Sequence, residues 1–239
     1  MIVRPSPNFN DRPVGRAPDM VLLHYTGMAT AAEALDRLVQ PEAGVSAHYL
    51  IDEDGTSYAL VPEDKRAWHA GVSFWAGERD INGCSIGIEL VNPGHALPGY
   101  AGGYRPFPEA QMTALLDLLG GISRRHNIPA ARLLAHSDVA PARKQDPGEL
   151  FDWERLAEAG FGLMPGRDQL RDPGPFDWET LQADLSRFGY GLDMTGADDA
   201  PTREVITAFQ RHYRRTSVTG MPDADTRAVL ANLLGQINS

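Results

Sequence analysis

The chain has 239 residues, 42% of them hydrophobic, and a formal charge of −10 at pH 7. That is apolar material for one or two packed domains, and the acidic balance argues against nucleic acid or an anionic membrane surface as a partner. No run approaches the ~18 apolar residues of a membrane span, and the single cysteine, Cys84, excludes an internal disulfide and a multi-cysteine metal site.

Residues 1–19 are rich in Pro, Asn, Asp and Arg and read as an extended lead-in. They carry no apolar signal region, so the expected compartment is the cytoplasm, or the periplasm or envelope if an upstream segment is missing. Met20–Tyr25 reads as a buried strand, and Ala29–Val39 repeats Ala32, Leu35, Leu38 and Val39 at helical spacing. His48–Ile51 and Thr56–Val61 flank Asp54-Gly55, a hairpin signal. Ser85–Val91 is a further strand, with Cys84 beside it as a buried, inert thiol. Residues 92–107 are rich in Gly and Pro and form a long loop expected to border a groove. Pro108–His126 carries Met112, Leu115, Leu116, Leu119 and Ile122 on one face, the longest helix expected. Strands interspersed with helices give an α/β domain with a mixed sheet.

Composition changes at Gly162–Pro175, where three prolines and three glycines in fourteen residues mark a linker. The expected division is a catalytic domain over 1–165, a linker over 166–175 and a small three-helix domain over 176–239. Its stripes are Leu181/Leu185/Phe188, Val205/Ile206/Phe209/Tyr213 and Val229/Leu230/Leu233/Leu234. The helical unit is expected to be separable from the rest. Phe151-Asp152-Trp153-Glu154 is echoed by Phe176-Asp177-Trp178-Glu179, which reads as shared helix-start chemistry with Asp as the cap.

The chemistry concentrates in His136–Gly148, a Pro/Gly-rich loop holding a histidine, a lysine and an aspartate, entered from the apolar run Leu133-Leu134-Ala135. Upstream, Met20-Val21-Leu22-Leu23 ends in the same way at His24. Two imidazoles and a carboxylate (His24, His136, Asp146) suit Zn²⁺ with a fourth position left for water, which is hydrolase chemistry. Asp138 competes for the third position. Only two of 22 basic residues are lysines, Lys65 and Lys144, so a lysine inside this loop stands out.

These pieces, with Ser46–Ile51, Ala67–Gly71 and Asn82–Leu90, occur in an order that resembles the zinc N-acetylmuramoyl-L-alanine amidases of the AmpD/AmiD type. That family is related to the phage lysozyme-type amidases and the peptidoglycan recognition proteins, and the resemblance covers roughly residues 8 to 155. It implies a central mixed sheet flanked by helices, one Zn²⁺ per chain on His24, His136 and Asp146, and a muropeptide or peptidoglycan substrate. By resemblance Glu89 is the general base and Lys144 stabilises the oxyanion, while a glutamate in so apolar a strand has an elevated pKa by burial alone. Substrate contacts fall to His48, Trp68, His69, Arg79 and Asn82. The bland reading makes Trp68 core and lets the histidines fix strand pairing. Asp80 stands where AmpD-type members often carry arginine, and Ala47 where phage relatives carry tyrosine. The pattern Leu181-Gln182…Gly189-Tyr190…Phe209-Gln210…Gly220…Asp223…Thr226 resembles a peptidoglycan-binding helical domain. His95, His126 and His212 lie outside the blocks and are expected at the surface. The competing functions are a non-catalytic peptidoglycan receptor and a zinc peptidase cutting within the stem peptide; a monomer is expected.

Overall fold

Residues 1–95, 103–171 and 173–237 are described by a computed structural model, and the account below is confined to them. In chain order the strands and helices are β1 (Ile2–Val3), β2 (Phe9–Asp11), β3 (Met20–Tyr25), α1 (Ala31–Val39), β4 (Tyr49–Ile51), β5 (Ser57–Ala59), β6 (Lys65–Ala67) and α2 (Ile81–Cys84). There follow β7 (Ser85–Leu90), α3 (Glu109–Arg125), β8 (Leu133–Ala135), α4 (His136–Val139), α5 (Trp153–Glu158), α6 (Trp178–Phe188), α7 (Ala200–Tyr213) and α8 (Ala224–Ile237). Of the long loop expected over 92–107, residues 96–102 lie outside the described residues.

Six strands form one sheet in the order β1-β5-β4-β7-β3-β8. The β4/β5 hairpin is antiparallel and the other four pairings are parallel, so the sheet is mixed as expected. β2 and β6 make a separate antiparallel pair. Both are short and polar, and the expected lead-in gave no hint of them.

The alternation of side chains along a strand decides what each face meets. In β3, Val21 and Leu23 enter a core with Met112, Leu115, Leu119 and Ile122 of α3. Met20 and Leu22 point the other way, into a core completed by Leu185, Phe188, Tyr190, Ile206 and Phe209 of the C-terminal helices. The C-terminal helices therefore supply part of the layer that covers the sheet's second face, beside α1 on Leu50, Leu60 and Val91. At the joint, the ring of buried Trp75 packs against Tyr190 at 4.9 Å and Phe188 at 5.9 Å between centroids. The amide of Ala76 donates to the carbonyl of Gly189 at 2.7 Å. Gly189 must lack a side chain, because a Cβ would lie 2.5 Å from the indole. The composition break at 162–175 is therefore not a break in the apolar core: the unit expected to be separable shares its interior with the sheet. Even the connecting segment is tied down, with Gly166 N–H donating to Asn232 Oδ1 at 3.1 Å.

Local chemistry sets the helix starts. Thr30 and Glu33 form a reciprocal capping box on α1, and Asp152 and Asp177 both cap the helices that follow them, as their shared start implied. The helical domain also contains an internal duplication. Thr195-Gly196-x-x-Asp199-x-x-Thr202 and Thr219-Gly220-x-x-Asp223-x-x-Thr226 are each latched by a buried glutamine one helix earlier. Gln182 donates to Thr195, Ala197 and Thr202 and accepts from Gly196 N–H. Gln210 repeats the pattern with Met221, Thr226 and Gly220.

Candidate metal centre and active-site cleft

Register builds the site. β3 and β7 pair so that His24 faces Glu89, and β3 and β8 pair so that Leu23 faces Ala135. The residue after Ala135 is His136, so Glu89, His24 and His136 stand in one rank across three parallel strands, at their carboxyl ends. Asp146 returns to this rank on the loop after α4. The nearest donor atoms of His24, His136 and Asp146 form a triangle: Nδ1 to Nδ1 2.9 Å, and each Nδ1 to Oδ2 3.0 Å. A tetrahedral ion with bonds of about 2.0–2.1 Å has ligand edges of about 3.3 Å, so the trio fits a metal within a few tenths of an ångström.

The outer hydrogen bonds fix which nitrogen is free. His136 Nε2 lies 3.0 Å from the carbonyl of Ala70, which can only accept; that nitrogen carries the proton and Nδ1 is left as a lone pair. His24 is oriented by a longer chain. Ser85 Oγ donates to the Ile81 carbonyl and so accepts from His69 Nε2 at 3.2 Å, which leaves His69 Nδ1 to accept from His24 Nε2 at 3.1 Å. The lone pair of His24 Nδ1 then points inward. Burial, reinforced by the neighbouring His136, pushes the His24 imidazole down to about 4, so it stays neutral as a ligand must.

The triangle lies at the base of a cleft of about 310 Å³, lined also by Glu89, Lys144, Trp68 and His69. Glu89 Oε2 is enclosed with no hydrogen-bond partner among the described residues. Burial, with the charge of Asp146 and against the opposing Lys144, raises this carboxyl well above its ordinary value. A carboxylate with one enclosed, unpartnered oxygen beside three groups able to hold a metal is an arrangement suited to a general base. The Lys144 ammonium enters no ion pair with the described residues. Trp68 gives the cleft an aromatic wall, held by Nε1–H donating to Asn10 Oδ1 at 2.7 Å.

Seven of the ten residues expected from sequence therefore meet in one cleft. The other three lie elsewhere. His48 is not a pocket wall: it is fully buried, its Nδ1 accepts from Gly87 N–H at 2.9 Å, and its Nε2 meets the Lys65 carbonyl at 3.0 Å. It pairs strands, and burial takes its pKa down to about 3. Asn82 is not a substrate contact either. Its Oδ1 accepts from the amides of His69 and Ala70 at 3.0 and 2.8 Å, clamping the segment that orients both metal-facing histidines. Arg79 lies over the Phe74 ring at 5.2 Å, outside the cleft lining. His69 lines the cleft but spends both nitrogens behind His24. The histidines expected at the surface are not there: His212 is buried, and His95 and His126 are half-buried against Glu149 and Glu63.

Sequence reasoning missed Arg37, Met28 and Leu38, which α1 and the turn before it bring to the cleft. Arg37 reads only as a basic residue in the last turn of a helix, so no signal marked it. It also missed Arg12, buried and donating to the carbonyls of Glu63, Asn82, Gly83 and Ser85, a brace under the whole site.

Comparison with known proteins agrees with this geometry. Residues 14–149 match the family model described as N-acetylmuramoyl-L-alanine amidase, and residues 176–230 the one described as a putative peptidoglycan binding domain. The chain is 38% identical to the N-acetylmuramoyl-L-alanine amidase AmiD of Escherichia coli over 90% of this chain and 82% of that protein. Its structure superposes on that of E. coli AmiD in complex with anhydro-N-acetylmuramic acid-L-Ala-D-γ-Glu-L-Lys, with TM-score 0.81, 34% identity and coverage of 96% and 98%. AmpDh3 from Pseudomonas aeruginosa matches with TM-score 0.84, 32% identity and 95% coverage of each chain.

Proposed function

The chain belongs to the N-acetylmuramoyl-L-alanine amidase family, and from that premise we propose a reaction and a metal for its cleft. The reaction is hydrolysis of the amide bond between N-acetylmuramic acid and L-alanine, in peptidoglycan or its 1,6-anhydro muropeptide fragments. The metal is one Zn²⁺ per chain, held by His24 Nδ1, His136 Nδ1 and Asp146 Oδ2. The observation that carries this reading is the 2.9–3.0 Å triangle with Glu89 beside His24 in the same rank.

The ion, when bound, supplies Lewis acidity, polarising the scissile carbonyl and favouring ionisation of water near neutral pH. The chain's own residues do the rest. Glu89, in its ionised form, accepts a proton from the attacking water and delivers it to the departing amide nitrogen. Among the described residues no donor occupies the enclosed Oε2, which leaves its lone pairs to take that proton. The Lys144 ammonium faces the same space and stabilises negative charge growing on the carbonyl oxygen. Trp68, Met28 and Leu38 offer apolar surface to the sugar and stem and exclude water from it.

The test is product identity. Incubation with a defined muropeptide should release a peptide with a free L-alanine N-terminus, read by mass. Chelation should abolish the release, and added Zn²⁺ should restore it at one ion per chain. His136→Ala should lose both stoichiometric zinc and activity. Cleavage inside the stem peptide, or a zinc-replete His136→Ala variant, would overturn the assignment.

A further inference from the structure

We propose that the C-terminal helical domain positions the metal ligand His136, acting through Asp138. The carboxylate of Asp138 is buried and accepts three hydrogen bonds. Its Oδ2 accepts from the amide of Ala135 at 2.8 Å and from His212 Nδ1 at 2.7 Å, and its Oδ1 accepts from the Tyr190 hydroxyl at 2.7 Å. Ala135 ends β8 and Asp138 lies in α4, so the carboxylate closes a ring around His136 and fixes the turn by which the strand hands that ligand to the metal. Both side-chain donors come from the helical domain, Tyr190 from the turn after α6 and His212 from α7.

The donors are themselves immobilised. The His212 ring lies between Trp153 and Tyr213, with centroids at 3.6 and 3.8 Å and interplanar angles of 26° and 10°. Tyr190 is held edge-on by Trp75. The neighbouring Arg211 reaches Gln145 at 3.3 Å and Glu149 at 3.5 Å, on either side of Asp146 in the loop. One helix, α7, thus holds the second and third ligands' segment at three points. A buried carboxylate deprived of its donors must find others or move, and any movement of Asp138 is movement of His136. Tyr190 and His212 are positioning residues two steps from the ion. The helical domain thereby becomes part of the metal site's architecture as well as any wall-binding surface.

This inference rests on the zinc reading above, and wild-type zinc binding separates the two: absence of stoichiometric zinc in the wild type sinks that reading first. The test measures zinc affinity of the full chain by competition with a chromophoric chelator, and the visible spectrum of the Co²⁺-substituted protein. His212→Phe keeps the stacking and deletes the donor, and Tyr190→Phe deletes one hydroxyl. Each should weaken zinc roughly 10-fold, and the pair up to about 100-fold, the range seen when outer partners of metal ligands are lost. The cobalt bands should shift with them. His212→Asn, which returns an N–H near the Nδ1 position, should recover part of the affinity. Leu230→Ala loosens the same apolar core from α8, away from Asp138 and its donors, and should leave the cobalt spectrum unchanged. Wild-type affinity and spectrum in both Phe variants would overturn the proposal, as would an equal loss in Leu230→Ala. If the double variant does not fold, Tyr190→Phe alone decides.

Discussion

Gly87→Ala should damage the metal centre without touching a ligand. Gly87 lies between Ser85 and Glu89 on the face of β7 that looks into the site, and the His69 ring occupies the space a side chain would fill. A Cβ there would sit 2.5–2.6 Å from Cγ, Cδ2 and Nδ1 of His69, against 3.4–4 Å for ordinary contact. The ring must retreat by about 1 Å, and Cγ, one bond from the side chain's root, cannot swing aside as a flexible tip would. The 3.1 Å link from His69 Nδ1 to His24 Nε2 then breaks, and His24 loses the partner that fixes its tautomer. Loss of such a partner costs about 10–100-fold in metal affinity, or roughly 1.4–2.7 kcal/mol, beside an overpacking cost of about 1–3 kcal/mol in stability. Gly235→Ala is the matched control: it lies on α8 with nothing within 4 Å of its Cβ and should gain about 0.5–1 kcal/mol. Chelator competition gives zinc affinity, and urea unfolding gives stability. Wild-type zinc affinity in Gly87→Ala would refute the relay from Ser85 through His69 to His24.

Glu89→Gln should keep zinc and lose rate by about 10²–10⁴-fold; because the base form is required and burial raises its pKa, wild-type kcat/KM should fall on acidification through a value above the usual glutamate range, and an unchanged rate in the variant would make Glu89 structural. Truncation after about residue 165 uncovers Leu22, Trp75, Leu134 and Val139, so the remnant should bind a hydrophobic dye and melt well below the full chain; an unshifted Tm would show that the shared core contributes nothing. Burial works to raise Glu63, but Arg125, Tyr49 and His126 outweigh it and bring it from 4.5 to about 2. A lowered carboxyl stabilises above its unfolded pKa and loses that stability as pH falls from about 4.5 toward 2, by at most about 3 kcal/mol and less where solvent screens half-exposed Arg125. Wild type should therefore outlast Glu63→Gln at pH 7, with the gap narrowing through pH 3 and closing only below about pH 2; a gap independent of pH would refute the pairing.

What was legible in the sequence was local or periodic. β3 and β7 announce themselves as apolar runs, α3 as a stripe, and Asp152 and Asp177 as caps, because neighbours in the chain decide those features. The metal trio was legible because both histidines end strands and the aspartate shares a loop with one of them. The rest depends on what lies across the fold. Nothing near His48 says that the Gly87 amide will take its Nδ1, and nothing near Asn82 says that its oxygen will face two amides of the His69 segment. β2 and β6 are three residues each, two of them polar, with no apolar periodicity to announce a strand and each paired only with the other. His212 looks like a surface residue until Asp138, 74 positions earlier, is seen to lie against it. The Thr-Gly-x-x-Asp-x-x-Thr duplication was in plain view, yet its meaning depends on two glutamines whose side chains had to be placed.

The rank of Glu89, His24 and His136 has a consequence for how this enzyme can change. The separation of proton acceptor from ligand is dictated by the spacing of hydrogen-bonded strands, about 4.8 Å and nearly invariant among sheets, rather than by any loop. Remodelling of the cleft's rim, including Arg37, Met28 and Leu38, leaves that spacing untouched. Variation in what is bound is thereby insulated from the chemistry performed, and a designer could graft new rim sequences for other muropeptide stems without retuning proton transfer. The opposite holds for a one-residue insertion in β3 or β7, which would turn His24 or Glu89 to the far face of the sheet and end catalysis at a stroke.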